Sequence, residues 1–480
     1  LMVGGGRFRV CLQALRARKA SHPVWLVLFT ALLARFLYVV STVDPEYDGY
    51  DRFLKGILLL KDGDVRHHWV WLPLFQYIDA VLYWLTGSYL SVRFFSAVCG
   101  FVSLIILYRL ALRLTGSPSA ALVSLTITAF NPLLFLYNTT GMTESFFTML
   151  TLAGIYLLVA GRFLTSSIPF SLACLVRYEG WFLTFFIYLV SALQKRLSFK
   201  AFIAVLVLPS LSIGLWLQLN YIRYGDPLHF LRALDLYCEV FRRDMEIYAP
   251  YMSADEKLYN ALRRELSPVW YIIVYFVVLN PLIFVMAFRR VFRSLMRKDR
   301  LRFLAVVSLF YLALITSLMV LGKSEGWPRH SIPGIPLFVL LASHDVTGLR
   351  SKVLTSSKFT AFSLMVSLLL LSLITIFNVK YTQPLIEVSL WLRENPTDGR
   401  ILCTRSPIII LSGLPAEKFI FLWRRDISHE AFNIFLERNG VTYVVSHLGY
   451  FSELCRNFTA VYSSRIYTIY RVNSPTEMGD

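Results

Sequence analysis

Residues 23–43 read PVWLVLFTALLARFLYVVSTV, and residues 44–52 continue DPEYDGYDR. An apolar run of about 20 residues is the length that crosses the hydrocarbon of a bilayer as a helix. Only one charge, Arg35, falls inside this run. It follows Arg7, Arg9, Arg16, Arg18 and Lys19, and it is too long and lacks the small-residue site of a removable leader. The run therefore reads as a retained first span with its N-terminal side inside. Four acids in eight positions, Asp44, Glu46, Asp48 and Asp51, then mark its outer end.

Working outward, further apolar runs fall near 89–113, 118–137, 142–160, 163–176, 180–194, 199–221, 268–288, 302–322, 331–346 and 353–378. With the first they predict about eleven transmembrane helices and a C-terminus outside. The 163–194 stretch also reads as one helix interrupted at Arg177-Tyr178-Glu179-Gly180. Composition agrees: 56% of the 480 residues are hydrophobic and 16% charged, against roughly 25% charged in soluble domains, and the mean hydropathy is +0.58. A soluble enzyme, a disordered chain and a coiled coil are excluded. Six scattered cysteines suit neither a disulfide scaffold nor a sulfur metal site.

A net charge of +18 would suggest nucleic acid in a soluble protein. Here sidedness accounts for most of it. Loops assigned inside hold 21 Lys and Arg, while short outer loops hold seven: Arg52, Lys55, Lys61, Arg66, Arg177, Lys323 and Arg329. That bias is the one expected of cytoplasmic loops, so no nucleic-acid partner is expected. Residues 1–380 form the transmembrane part, with outer loops at 44–88 and 222–267. Residues 381–480 read as a small extracytoplasmic α/β domain: an amphipathic helix over 384–394, strands near 400–404, 419–423, 442–446, 460–462 and 467–471, and a helix over 428–438. Asn138-Thr139-Thr140 and Asn457-Phe458-Thr459 are sequons on that same outer side. Cys403 and Cys455 lie there too, where they could pair.

Polar residues near membrane depth are costly and mark function by default. The acids at 44–51 are followed by Arg66-His67-His68-Trp69, and other outer helix ends carry Thr143-Glu144, Arg177-Tyr178-Glu179 and Lys323 to His330 with Glu325, Arg329 and His330. Packing would bring these clusters into one cavity. A first-loop carboxylate can serve as general base, and the competing reading is a hydrated loop. His67 and His68 with the carboxylates could hold a hard divalent metal, but adjacent histidines project apart, and no cofactor is expected. Arg177, Arg329 and His330 could clamp a phosphate. Their competing reading is pairing with Glu179, Glu144 or Glu325.

These features together resemble the polytopic glycosyltransferases of the GT-C class, such as protein O-mannosyltransferases and the lipid A aminoarabinose transferase. The shared points are the acidic loop after the first span, Trp71-Leu72-Pro73, a Thr-Glu opening the fourth span, Arg177-Tyr178-Glu179-Gly180-Trp181, Tyr224-Gly225-Asp226-Pro227-Leu228, and Arg329-His330 four residues before Pro333. The likeness covers nearly the whole chain. It implies transfer of a sugar, mannose or another hexose, from a polyprenyl or dolichyl phosphate to a glycan, lipid or protein acceptor at the outer membrane face. Asp48 stands where the class commonly has Asp-Glu followed by tyrosine. Gly49 replaces that Glu, so Asp44, Glu46 and Asp51 remain in contention as base. His67, His68, Glu144, Tyr178, Glu179 and Glu325 are the implied substrate-binding residues. The Trp-Trp-Asp motif of oligosaccharyltransferases is absent. A transporter or flippase, the alternative, predicts midplane charges and repeated broken helices, and neither repeat nor charge cluster is visible.

Overall fold

The computed structural model describes residues 4–64, 68, 70–248, 254–348, 356–421, 427–447, 451–464 and 466–472. The described chain is mostly helical. In order it runs α1 (Gly4–Ser41), α2 (Tyr47–Asp62), α3 (Pro73–Thr86), α4 (Leu90–Thr115), α5 (Pro118–Ala129), α6 (Pro132–Tyr137), α7 (Glu144–Val159), α8 (Phe163–Cys174), α9 (Glu179–Leu193) and α10 (Phe199–Tyr224). Then come α11 (His229–Tyr248), α12 (Ala254–Glu265), α13 (Trp270–Val278), α14 (Pro281–Arg297), α15 (Arg302–Val320), a 3-10 turn (Pro328–Gly334), α16 (Ile335–Gly348) and α17 (Ser356–Glu394).

Five of these stretches are long and apolar enough to cross a membrane: His22–Ser41, Leu90–Thr115, Phe199–Tyr224, Arg302–Val320 and Thr360–Glu394. Four apolar helices, α5, α7, α8 and α9, are shorter, and α13 and α14 form one pair bent by 118°. The chain is therefore a multi-pass membrane bundle, but its apolar runs are not eleven uniform rods. Two Asn-Pro steps explain part of the difference. At Asn131-Pro132 and Asn280-Pro281 the proline cannot continue the preceding hydrogen-bond ladder, and each asparagine caps the next helix: Asn131 Oδ1 accepts from Leu134 N, and Asn280 Oδ1 from Leu282 and Ile283 N. The two breaks are tied, because Asn131 Nδ2 donates to Val278 O at 2.9 Å. Arg35, the charge inside the first span, is fully buried and donates to Ala31 O and to Ala129 O, the free carbonyl end of α5. It caps a broken helix.

Two other expectations change. The acidic segment after the first span is not an extended loop, since it enters α2 at Tyr47. The amphipathic helix expected over 384–394 is the continuation of α17, which runs 39 residues through Pro384. Leu385, Val388 and Leu392 on that continuation join the core of the C-terminal sheet, and this burial outweighs the hydrogen bond that Pro384 removes.

The C-terminal region holds β1 (Arg400–Cys403), α18 (Ser406–Ser412), β2 (Phe419–Ile420), α19 (His429–Arg438), β3 (Val441–His447), β4 (Thr459–Ser463) and β5 (Tyr467–Arg471). The sheet order is β2-β1-β3-β5-β4, with β1 parallel to β2 and β3, and β5 antiparallel to β3 and β4. Alternation along β1 puts Ile401 and Cys403 on the face that packs with α17 and α18, and Leu402 on the face that packs with α19 and Cys455. Cys403 and Cys455 thus lie in separate cores, and both are free thiols. The Asn138 sequon is also unsuited to glycan attachment in the folded chain, because Asn138 is buried and accepts from Ser145 Oγ.

Candidate active site

The four acids after α1 divide into three environments. Asp44 is fully buried and accepts from Tyr89 Oη at 2.6 Å, Gly141 N at 2.6 Å and Glu46 N at 2.9 Å. It fastens the end of α1 to α4 and to the 139–143 turn. Arg93 of α4 reinforces that joint by donating to Thr139 O and to Val39 and Thr42 O at the last turn of α1. Asp51 faces the C-terminal domain, where it accepts from Ser406 Oγ at 3.0 Å and pairs with Lys55. Glu46 and Asp48 point into the bundle end.

Glycine is required where this segment passes Tyr89. A Cβ added at Gly49 would lie 2.4 Å from Tyr89 Oη, and one at Gly141 would lie 2.2 Å from the same atom. A glutamate at position 49 has no room, and Glu46 supplies the neighbouring carboxylate instead.

Glu46 and Asp48 meet one guanidinium. Arg329 Nη1 lies 3.0 Å from Glu46 Oε2, Nη2 lies 2.5 Å from Asp48 Oδ2, and Nε lies 3.8 Å from Glu144 Oε1. Glu144 passes the chain of charges to Arg177, whose Nη1 is 2.6 Å away, and Arg177 Nη2 is 2.7 Å from Glu179 Oε1. His330 Nδ1 is 3.2 Å from Ser324 Oγ and 3.9 Å from Glu179 Oε1. Tyr137 Oη donates to Glu46 Oε1 at 2.5 Å. The clusters at residues 46–48, 144, 177–179 and 329–330 are therefore brought together as expected from packing the helix ends.

Electrostatics separates the members. For Asp48, burial raises the carboxyl, but Arg329 and then Arg52 outweigh it, leaving the group below its ordinary range. Burial pushes Glu46 up to about 7 against the pull of Arg329 and Tyr137, with Asp44 and Asp48 adding repulsion. His330 is driven down to about 3 by burial and by Arg177, so it acts as a neutral hydrogen-bonding ring rather than a cation. Glu144 and Glu179 are likewise held low by Arg177; of the two first-loop acids that meet Arg329, it is Asp48 that stays ionised beside cations, which is the state a base needs.

Other sequence candidates lie elsewhere. His68 is buried against Gln76, Tyr77 and Trp216, and Tyr178 donates to Val70 O and stacks on Phe230. Both belong to an aromatic wall beside the network. His67 lies outside the described residues. Glu325 does not pair with Arg329; its Oε1 is 4.0 Å from Cys238 Sγ, and burial raises its carboxyl. Among the described residues no group of three or more His, Cys, Asp or Glu is placed to hold a metal ion. Between Glu46 and Asp48 the position of a cation is taken by Arg329.

Several residues went unread in the sequence. Arg52, one turn after Asp48, donates to Met142 Sδ and lies 4.9 Å over the Trp71 ring, with Lys55 at 4.2 Å on the same ring. The i, i+4 spacing of Asp48 with Arg52 and of Asp51 with Lys55 would have revealed them had the segment been read as a helix. Asp79 of α3 is wholly buried, and among the described residues neither carboxylate oxygen has a hydrogen-bond partner. Burial raises it well above the ordinary range, with Arg52 opposing. No sequence signal marks it, since it stands alone in an apolar helix.

The fold can be compared with solved structures. Over 93% of this chain and 97% of the other, it is similar to ArnT from Cupriavidus metallidurans bound to undecaprenyl phosphate, with a TM-score of 0.59 and 13% identity. Over 88% of this chain and 69% of the other, it is similar to the archaeal oligosaccharyltransferase AglB from Archaeoglobus fulgidus in complex with an inhibitory peptide and a dolichol-phosphate, with a TM-score of 0.53 and 12% identity. The chain has the GT-C fold. Residues 72–216 of this GT-C chain match the dolichyl-phosphate-mannose-protein mannosyltransferase family. That stretch begins at Leu72 in the turn before α3 and ends at Trp216 in α10, so it contains Glu144, Arg177 and Glu179 but neither Asp48 nor Arg329. No curated protein matches the chain.

Proposed function

We propose that this protein transfers a sugar from a polyprenyl-phosphate donor to an acceptor oxygen, with Asp48 as general base. The observation that carries the reading is the Asp48 carboxylate, held below its ordinary range at the bundle end by Arg329 and Arg52. The match over residues 72–216 and the shared fold with proteins solved with undecaprenyl phosphate and dolichol-phosphate support the choice of donor.

In this reading the acceptor hydroxyl approaches Asp48 and gives it the proton. The freed oxygen forms a bond to the anomeric carbon as the bond from that carbon to the phosphate oxygen breaks, with inversion, and the electron pair leaves with the polyprenyl phosphate. Developing negative charge on that oxygen needs a fixed cation. Arg329 is the guanidinium nearest the base and takes that part. Both arginines of the expected Arg177, Arg329 and His330 clamp are paired with carboxylates, Arg329 with Glu46 and Asp48 and Arg177 with Glu144 and Glu179, and His330 is neutral; Arg329 is preferred in this reading because it is the one in contact with Asp48. Asp44 is a poor base, since it already accepts three hydrogen bonds and is sealed from solvent. The bundle end that carries this site and the C-terminal sheet is assigned to the outer face on the strength of the 21-to-7 bias in basic residues. Mannose or another hexose is the proposed sugar.

Incubation of purified protein with radiolabelled polyprenyl-phosphate hexoses and membrane extract as acceptor source tests the reading. Sugar released from the lipid and recovered on acceptor or as free sugar supports it, provided Asp48→Asn abolishes the signal. No turnover of any such donor would reject it.

A further inference from the structure

Helix α16 begins beside the turn that carries Arg329 and reaches Asp345 about 15 Å further along its axis, at 1.5 Å per residue. Asp345 is buried, with 4% of its side chain exposed, and three arginines of α14 converge on it: Arg293 Nη1 at 3.2 Å, and Arg289 Nε and Arg290 Nη1 at 3.6 Å. Arg290 is buried as well and also pairs with Asp299. Arg289 and Arg293 keep 42% and 40% of their side chains exposed. The two acids offset two of the three guanidinium charges, and the excess faces outward.

Four residues apart, Arg289 and Arg293 share one face of α14. Phe292 and Met296, three residues beyond each of them, stand beside them with 66% and 70% of their surface exposed, and Val285 continues the exposed apolar surface one turn earlier. In a membrane bundle such a surface is covered by acyl chains, and arginines at its rim reach the headgroup level. Topology alone asks only for basic residues in the loop, and Arg297, Lys298 and Arg300 meet that need. Arg289 and Arg293 differ because a buried carboxylate holds them in place. Side chains fixed in advance lose less freedom when a ligand arrives.

We infer that Arg289 and Arg293, held on Asp345 and flanked by Phe292 and Met296, bind the headgroup phosphate of an anionic glycerophospholipid at the end of the bundle remote from Asp48. The phosphate meets the outward N–H groups of the two guanidiniums, and its acyl chains cover Phe292, Met296 and Val285. Repulsion among the arginines around Asp345 falls when the phosphate arrives, so the lipid fastens α14 to α16. With sidedness assigned from the basic residues, this is the inner leaflet. The inference does not depend on sugar transfer or on its donor.

Full-length protein in nanodiscs of phosphatidylcholine, with and without a minor fraction of phosphatidylglycerol, tests this at about 0.15 M salt, where charges more than about 8 Å apart are largely screened. Phosphatidylglycerol retained on the protein is read by native mass spectrometry, and its effect on Tm is read in the same discs. Wild-type protein is expected to retain phosphatidylglycerol and to melt higher in its presence. Arg289→Gln with Arg293→Gln should weaken retention by about tenfold or more, the scale of two basic residues at a membrane surface, and remove the rise in Tm. Arg289→Gln alone, at an exposed residue, should weaken it by about fivefold and serves if the double variant does not fold. Arg109→Gln with Lys200→Gln, on the inner ends of α4 and α10, removes the same charge and should leave retention unchanged. Equal loss in that control would show a diffuse positive surface and overturn the site. Unchanged retention in the Arg289 and Arg293 variants, or displacement of the lipid by soluble glycerol phosphate at equal concentration, would overturn it as well.

Discussion

Arg329 Nη2 sits 2.5 Å from Asp48 Oδ2, and the two residues are brought together from the first turn of α2 and the turn before α16. The pair explains how one carboxylate stays ionised in a buried setting. Asp48→Asn keeps the size and removes the proton acceptor, so turnover should fall by about a hundredfold or more with the fold intact. Arg329→Lys should retain part of the activity, because one ammonium keeps the charge but cannot bridge Asp48 and Glu46 as the planar fork does. Exchanging Arg329 with Glu325 should restore nothing, since the two do not pair. Single-turnover rates on folded protein check all three.

Asp44 should behave as an anchor. Asp44→Asn removes the charge that accepts from both Tyr89 Oη and Gly141 N, and leaves an amide nitrogen facing donors in a sealed site. A loss of stability of about 1–3 kcal/mol follows from unsatisfied buried groups, read as a lower Tm or denaturant midpoint. Asp48→Asn takes a carboxylate from the buried Arg329 and so lowers stability as well, but its turnover per folded molecule should fall far more than that of Asp44→Asn. If the two variants exchanged these signatures, the roles of base and anchor would be reversed.

The close passage at Tyr89 gives a separate test that touches no charged group. Gly141→Ala would place a methyl 2.2 Å from Tyr89 Oη and 2.7 Å from its ring carbon Cζ, so the ring must move and its bond to Asp44 must lengthen. Overpacking of this kind costs about 1–3 kcal/mol. Turnover and Tm should fall together, and Tyr89→Phe in the same chain should not rescue them, because the ring still fills the space.

Much of this was legible in the sequence. The acids at 44–51, Thr143-Glu144, Arg177-Tyr178-Glu179 and Arg329-His330 each stand at an apolar segment boundary, and boundaries on one side converge when helices pack. The strands at 400–403 and 467–471 and the helix capped by Ser428 announced themselves by alternation and by a cap, and Ser428 Oγ does accept from Ala431 N. What stayed hidden depends on three-dimensional partners. Hydropathy cannot say that Arg35 finds a free carbonyl at Ala129, that two Asn-Pro steps tie α5 to α13, or that Pro384 is overridden by packing against the sheet. Which of four nearby acids is free to act follows from who donates to each, and Tyr89, Gly141, Ser406 and Arg329 are remote in the chain.

Glu46 yields a prediction in pH. Its carboxyl is raised from about 4.5 to about 7, first by burial, with Arg329 and Tyr137 opposing and Asp44 and Asp48 adding to the rise. The folded state therefore binds a proton here more tightly than the unfolded chain does. By linkage, the stability tied to that proton is fully present below about 4.5 and is lost as the pH rises through about 7. Glu46→Gln keeps the shape and stays neutral at every pH, so it should abolish this part of the decline: the wild-type Tm should drop between pH 5 and pH 8 by more than that of the variant, and the two curves should converge on the acid side. Where Asp48 titrates, Glu46 is already protonated, so the variant should leave the acid limb of the rate profile where it is. Parallel Tm curves for the two proteins across that range would show that Glu46 is already ionised in the folded protein, and the ordering of charges around Arg329 would have to be redrawn.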